Sequence, residues 1–522
     1  MLVCFAAVLF YIIATVVAIL ILNDGHFVYV MDDAYIHLAL SDNIAAGHYG
    51  INPGENASPS SSVIYPAILA LFSGSSLHAY APMLLNTVAC LTAVWVLVAL
   101  VRLCGLFSGP GAERATAWLV LGLLVPLNLL AVAFTGMEYA PHTAVTLVIL
   151  LGLIVLTRDG RVRWWLPVAI VLAPLLRFEG LSAAVAAIAV LAMLRHRRLA
   201  LGLTLALVLA FGGYGLLMHR LGLPFLPSSV LLKSRLFLAD GPAAYPAVLA
   251  AKFMALLDSA PLALLLVASS LVAVLRVVLR SPRDDGDMAI AGFGAFLVIA
   301  HLVAGEFMSI HYFIERYEIY LAFGAFSSFL YALRHDIRAL LDRHGRATRG
   351  LFLATVAVLT VLYGKDHAVI PLASHDIYAQ QYQMRRLVKD HLHADIAVND
   401  IGMVSYRTGQ TVLDLVGLAS EEARRLRLAN PPGWVEGLVR KHRIPVVMVY
   451  ESWFPGGMPP SWTLVGRLLL TAPNVICGDL TVGIFVTDGA DAPRLRAALA
   501  DFAVGLPSSA VLVMADAPPP SP

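Results

Sequence analysis

Blocks of about twenty consecutive apolar residues recur through the first two-thirds of the chain, and no other feature limits its fold so tightly. They fall near residues 2–22, 82–101, 115–134, 139–157, 164–176, 180–194, 199–218, 258–279, 288–305, 317–333 and 350–364. A helix of that length matches the hydrocarbon thickness of a bilayer, and a helix satisfies its own backbone polar groups there. Composition agrees. The chain is 59% hydrophobic and only 13% charged, where a soluble protein carries about a quarter charged residues. The predicted fold class is a polytopic α-helical membrane protein of about ten or eleven spans with a C-terminal soluble α/β domain. A net charge of +2 gives no electrostatic case for a nucleic-acid partner. The four cysteines, Cys4, Cys90, Cys104 and Cys477, form no C-x-x-C pair, so neither a zinc site nor a disulfide framework is indicated. Residues 2–22 lack a preceding basic residue and an A-x-A site, and read as a retained first helix.

Arginine sets the expected orientation. Clusters at Arg102/Arg114, Arg158/Arg161/Arg163, Arg195/Arg197/Arg198, Arg276/Arg280/Arg283 and Arg334–Arg349 mark alternate junctions, while residues 23–80 contain no Lys or Arg. Positive residues stay cytoplasmic. The 23–80 loop and the C-terminus are therefore expected on the outer face. The short blocks 164–176 and 180–194 fit a tight hairpin turning at Arg177-Phe178-Glu179. Domain boundaries are expected at 1–364 for the membrane part and 365–522 for the soluble part, with a proline-rich, disordered tail from Asp516. Within the soluble part, 396–398, 412–416, 445–450 and 482–487 read as strands, and 376–391, 421–428, 434–442 and 493–502 as helices. The aromatic loop 453–458 reads as resting on the membrane or the domain core.

The loop 23–80 is too long for a connector, and long loops tend to be functional. It opens Met31-Asp32-Asp33-Ala34-Tyr35-Ile36-His37, continues through an interfacial helix over 34–46, and reaches Ser58-Pro59-Ser60-Ser61-Ser62 before a short re-entrant or juxtamembrane helix over 63–72. Paired carboxylates at a membrane surface can take a proton from a hydroxyl. The plainer reading is that Asp33 caps the following helix. Further ionisable residues stand at the same ends of apolar blocks: Glu138, Arg177, Glu179, Lys233, Arg235, Glu306, His311, Glu315, Arg316 and Glu318. Such groups at membrane depth are functional or paired. Arg177 with Glu179, or Arg316 with Glu138, would serve as internal salt bridges. Lys and Arg on that side could equally hold a phosphate.

These segments resemble a known family. Asp32–His37, then Asn43–Gly50 and Asn52–Glu55, are similar to the first outer loop of GT-C superfamily membrane glycosyltransferases, among them arabinofuranosyl, aminoarabinose and protein mannosyl transferases. Thr135-Gly136-Met137-Glu138 resembles their "SGLE" segment. Leu176-Arg177-Phe178-Glu179-Gly180 resembles their "RPEG" turn, with Phe178 in place of proline. Residues 223–233 resemble an "lPN…aK" segment, with Ser228 where Asn is common, and Arg316-Tyr317 resembles a late "RY". A looser likeness runs from Asn399-Asp400-Ile401-Gly402 to Asp414–Leu418. The resemblance implies a bacterial plasma-membrane enzyme that passes a sugar from a polyprenyl-phosphate donor to an envelope glycan, lipid or protein acceptor. It implies Asp32 as general base with inversion, and Asp33 as its second member. It implies Lys233, Arg316 and Arg177 on the lipid phosphate, and Glu138, Glu179, His37, Tyr65 and His311 around the substrate. Adjacent aspartates differ from the D-x-D of metal-dependent oligosaccharyltransferases, so no cofactor is implied with certainty and a divalent cation stays open. A transporter or flippase, or a non-enzymatic scaffold, is the alternative. Convergence of Asp32, Glu138, Lys233 and Arg316 on one cavity separates the enzyme from the scaffold.

Overall fold

The computed structural model describes residues 1–233, 242–259, 261–280, 284–304 and 316–515. Each apolar block forms a helix within these residues. Among the described residues six helices are long and apolar enough to cross a membrane, including Leu2–Leu22, Tyr139–Asp159, Arg197–Arg220 and the helical run that begins at Arg334. Ala112–Leu124 and Leu129–Thr135 form a further span broken by a 58° bend. The shorter apolar helices are Trp165–Leu176, Gly180–Met193, Leu264–Val278 and Ile319–Ala332. The eleven blocks thus become helices of two length classes. The hairpin at 177–179 is present, closed by the Gly180 amide donating to the Arg177 carbonyl at 2.9 Å.

Packing inside the bundle relies on small side chains. Gly180–Met193 buries Ala183, Ala184, Ala186 and Ala187, which lets backbones approach where lipid supplies no hydrophobic drive between helices. Other helices expose large apolar side chains outward, among them Phe10, Ile21, Leu201 and Val361, as expected of helices that are apolar all round. At the arginine-rich end, Asp287 accepts from Arg280 at 2.8 Å and pairs with Arg334, and Asp336 pairs with Arg276 at 2.6 Å and with Arg280. That network ties three helices at one level.

The C-terminal part is a six-stranded mixed sheet in the order β2-β1-β3-β5-β4-β6. The strands are β1 Ile396–Val398, β2 Val412–Asp414, β3 Val446–Val449, β4 Thr463–Leu470, β5 Thr481–Val486 and β6 Ala510–Met514. β1 runs parallel to β2 and β3, and the remaining pairs are antiparallel. Strands β1, β2 and β3 are buried along their whole length, the signature of a sheet covered on both faces. Alternation sorts the two faces. Ala397, Leu413, Val447 and Val449 pack with Leu438 and Val439 of the helix Trp434–Lys441. Ile396, Val398 and Met448 pack with Leu499 and Phe502 of the helix Ala492–Ala503.

The second core contains more than the sheet domain. Ile36, Ala39, Ile51 and Ala57 from the 23–80 loop are buried in it. The Asn52 side chain bridges the backbone of Val412, donating at 2.8 Å and accepting at 2.9 Å, so it occupies the outer edge of β2. Arg407 makes a bidentate contact with Asp42 at 2.6 and 2.9 Å. The helix expected at the membrane interface is Asp33–Ala45, and its residues 34–41 are all buried between the bundle and the sheet domain. It is a sandwiched helix, because the sheet domain covers the face that would otherwise lie in the interface. The short helix after the serines is Tyr65–Ala70, with Pro66 in its first turn. Near the aromatic loop, Trp453 stays partly exposed against Tyr450, and Phe454 packs into the domain core.

Candidate active site between the bundle and the sheet domain

The entry to the Asp33–Ala45 helix is pinned from several sides. The Val30 amide donates to the Phe134 carbonyl at 3.1 Å, and the Tyr29 hydroxyl donates to the Ala79 carbonyl at 2.9 Å. Gly136 permits this approach. Its φ is +68°, and a Cβ there would meet Tyr29 and Ala34 at 2.7–2.9 Å. An αL glycine pressed against the loop fixes the distance between the loop and the helix that follows Glu138.

The helix then divides its residues by face. Residues four apart share a face, so Asp32 and Ile36 look one way and Asp33 and His37 another. Ile36 lies in the sheet-domain core. The Asp32 carboxylate reaches the same domain, where it accepts from the amides of Gly402 at 2.5 Å and Met403 at 2.7 Å. It also makes a hydrogen-bonded contact with the Asp400 carboxyl. Asp400 in turn accepts from Gln381 at 2.9 Å and from the Tyr450 hydroxyl at 3.5 Å. Burial first, and the Asp400 charge second, push the Asp32 carboxyl well above the ordinary carboxylate range; burial also raises Asp400. Two carboxyls in contact out of water keep one proton between them. The capping expectation for Asp33 is overturned. Asp33 sits inside the first turn, and the residue at the cap position, Asp32, has helical backbone angles and makes no capping bond. Its acceptors are taken by a turn far along the chain.

On the other face, His37 Nε2 lies 3.4 Å from Glu138. Glu138 is fully buried and accepts from Arg177 at 2.6 Å and from the Ser61 hydroxyl at 2.7 Å. Arg177 gives its second terminal nitrogen to Glu179 at 2.8 Å and stacks on the Tyr139 ring at 4.2 Å. Arg316 donates to the Tyr139 hydroxyl at 3.1 Å, lies over Tyr317, and is within electrostatic reach of Asp33. Tyr65 contacts the His37 ring at 5.4 Å and donates to the Gly136 carbonyl at 3.0 Å. The serine run threads through the middle. Ser60 contacts His37 at 3.2 Å, Ser62 donates to the Leu175 carbonyl at 3.2 Å, and the Ser58 carbonyl accepts from the Ser228 amide at 3.0 Å.

Asp32, Asp33, His37, Tyr65, Glu138, Arg177, Glu179 and Arg316 therefore meet around one helix. Within that group Arg177 is engaged by two carboxylates, so the salt-bridge reading fits it, and Arg316 is partnered by Tyr139 rather than by Glu138. Lys233 ends the short helix Ser228–Lys233, and its side chain, like the whole of Arg235, Glu306, His311 and Glu315, lies outside the described residues. The tail from Asp516 does so too. Sequence reasoning missed Asp400, Gly402, Ser61 and Tyr139 as parts of the site. The 399–402 likeness was the available signal for the first two. Among the described residues no group of three or more His, Cys, Asp or Glu is arranged to hold a metal ion.

Residues 375–486 match the model of a domain family of unknown function, DUF8728. No curated protein matches the chain. Among solved structures, ArnT from Cupriavidus metallidurans bound to undecaprenyl phosphate is similar at a TM-score of 0.48 and 11% identity, over 93% of this chain and 98% of that one. An Archaeoglobus fulgidus oligosaccharyltransferase in the apo form gives 0.47 and 12%, over 88% of this chain and 73% of that one. Likenesses this distant leave the chemistry to be read from the chain's own residues.

Proposed function

We propose that this chain is a GT-C-type membrane glycosyltransferase that passes a sugar from a polyprenyl-phosphate donor to an envelope acceptor at the outer membrane face. One observation carries the reading. The loop residues Asp33 and His37, Glu138, the Arg177–Glu179 turn and Arg316, far apart in sequence, converge at one end of an apolar bundle. A scaffold has no need of that convergence. Buried charge is costly and tends to be retained for function.

The reaction needs a base, a cation and a lipid-facing wall. A loop carboxylate removes the proton of the acceptor hydroxyl. The acceptor oxygen bonds to the anomeric carbon as the bond from that carbon to the phosphate oxygen breaks. The lipid phosphate departs carrying both electrons of that bond, and Arg316, with Lys233 as suggested by the family resemblance, neutralises the charge that develops. The Glu138–Arg177–Glu179 chain holds His37, Tyr139 and the loop in register. A single displacement inverts the anomeric centre.

Purified full-length protein offered radiolabelled polyprenyl-phosphate sugars is expected to form a glycosylated acceptor of inverted configuration. Arg316→Gln is expected to lower kcat about 100-fold or more, the scale for loss of one charge-stabilising group. Retained configuration, or full activity in Arg316→Gln, would overturn the reading.

A further inference from the structure

The sheet domain supplies groups to the acidic end of the Asp33–Ala45 helix. Both oxygens of Asp32 accept from consecutive amides, Gly402 and Met403, at 2.5 and 2.7 Å. Two residues before that turn, Asp400 brings a second carboxyl against the first, itself held by Gln381 and Tyr450. The fit is close: a Cβ on Gly402 would stand 1.9 Å from the Asp32 carbonyl oxygen. Asp33, the next residue, is half-buried and lies within electrostatic reach of both Arg316 and Asp400.

We infer that the 400–403 turn of the sheet domain is a clamp that fixes Asp32, with Asp400 as its positioning residue, and that Asp33 is the carboxylate that takes the acceptor proton. The assignment of Asp33 rests on the glycosyl-transfer reading; the clamp does not. An oxygen already shared by two amides and a second carboxyl is a poor acceptor for a substrate proton, and Asp33, the adjacent carboxyl of the loop, lies within reach of Arg316, the cation proposed for the leaving phosphate. The clamp carries one proton between two acids. The groups facing the pair are Asp33 and Tyr35 on the helix side and Tyr450 and Cys477 on the sheet side, with Arg385 near Tyr35. Ionising the second carboxyl sets like charges in contact and loosens the turn.

The test uses full-length protein in detergent, with Asp32→Asn, Asp33→Asn and Asp400→Asn beside wild type. Amide hydrogen exchange at Gly402 and Met403 reads the clamp. Asp32→Asn, which replaces one acceptor oxygen by a donor, is expected to speed it about tenfold or more, and Asp33→Asn to leave it unchanged. In wild type the exchange is expected to rise further with pH than base catalysis alone requires, and Asp400→Asn removes that excess. Unchanged exchange in Asp32→Asn, or an excess that survives Asp400→Asn, overturns the clamp. Transfer reads the base. Asp33→Asn is expected to lose about 100- to 10,000-fold in kcat, and Asp400→Asn to shift the alkaline limb of the kcat–pH profile. Wild-type turnover in Asp33→Asn overturns its role. Absence of transfer in wild type defeats the glycosyl-transfer reading and the Asp33 role with it, and leaves the clamp to be judged by exchange.

Discussion

Gly402→Ala gives the sharpest single perturbation of this architecture. The added methyl would stand 1.9 Å from the Asp32 carbonyl oxygen and 2.6 Å from its carboxylate oxygen. Neither atom is the free end of a flexible chain, so relief requires the turn and the helix start to part by more than about 1 Å, given van der Waals contact near 3.5 Å. Such a shift takes the Gly402 and Met403 amides, now at 2.5 and 2.7 Å, out of good hydrogen-bond range. The Asp32 carboxyl holds a proton with Asp400, so each amide bond to it contributes about 0.5–1.5 kcal/mol net, and docking of the domain on the loop weakens by roughly 1–3 kcal/mol at the upper limit of full loss. A misplacement of about 1 Å at a reacting group costs about 100-fold in rate. The assay pairs hydrogen exchange over residues 400–406 with sugar transfer, and Gly437→Ala, whose Cβ would meet nothing within 4 Å, is the control. Wild-type exchange and turnover in Gly402→Ala would refute the clamp geometry.

Other perturbations follow from the same contacts. Arg177→Met leaves Glu138 buried without its cation, and the expected loss is about 3–5 kcal/mol, read as a lower melting temperature in detergent. Asn52→Ala removes two bonds at the edge of β2, and exchange at Val412 is expected to rise by the equivalent of about 1–3 kcal/mol. The Asp32–Asp400 pair has a raised folded-state affinity for its proton, so its contribution to stability is full below the unfolded carboxylate range and is lost as pH rises through the raised value. Melting of wild type is expected to fall with pH over that window more steeply than melting of Asp400→Asn.

Much of this fold was legible because its signals are local. Every apolar block is helical among the described residues, 115–134 as two helices with a bend between them, and the Arg177–Glu179 turn falls where two short blocks meet. The strands β1, β2, β3 and β5 and all the helices expected in the sheet domain are present. β4 and β6 were missed: Gly466 and Arg467 interrupt the alternation of β4, and β6 lies directly before the proline-rich tail, where no turn signal separates it from that tail. The helix 34–46 read as interfacial because its polar residues match a membrane surface equally well. Nothing in its own sequence states that a second domain covers it. The same limit applies to Asp32. Its place in an acidic outer loop suggests a base, and its amide donors lie 370 residues away. Long-range amide partners leave no periodicity to read. The serine run 58–62 was legible as the lead into a short apolar helix, but its threading between the helices that carry Leu175 and Ser228 depends on tertiary contacts.

That separation of 370 residues also has a temporal meaning. Ribosomes add roughly 5–20 residues per second, so the loop that carries Asp32 exists for roughly 20–70 s before its partners leave the ribosome. During that interval Ile36, Ala39, Ile51 and Ala57 lack the apolar core that buries them in the finished molecule. A nascent or truncated chain can insert its helices and still present an unassembled acidic end. Completion of the last third is then the event that arms the first.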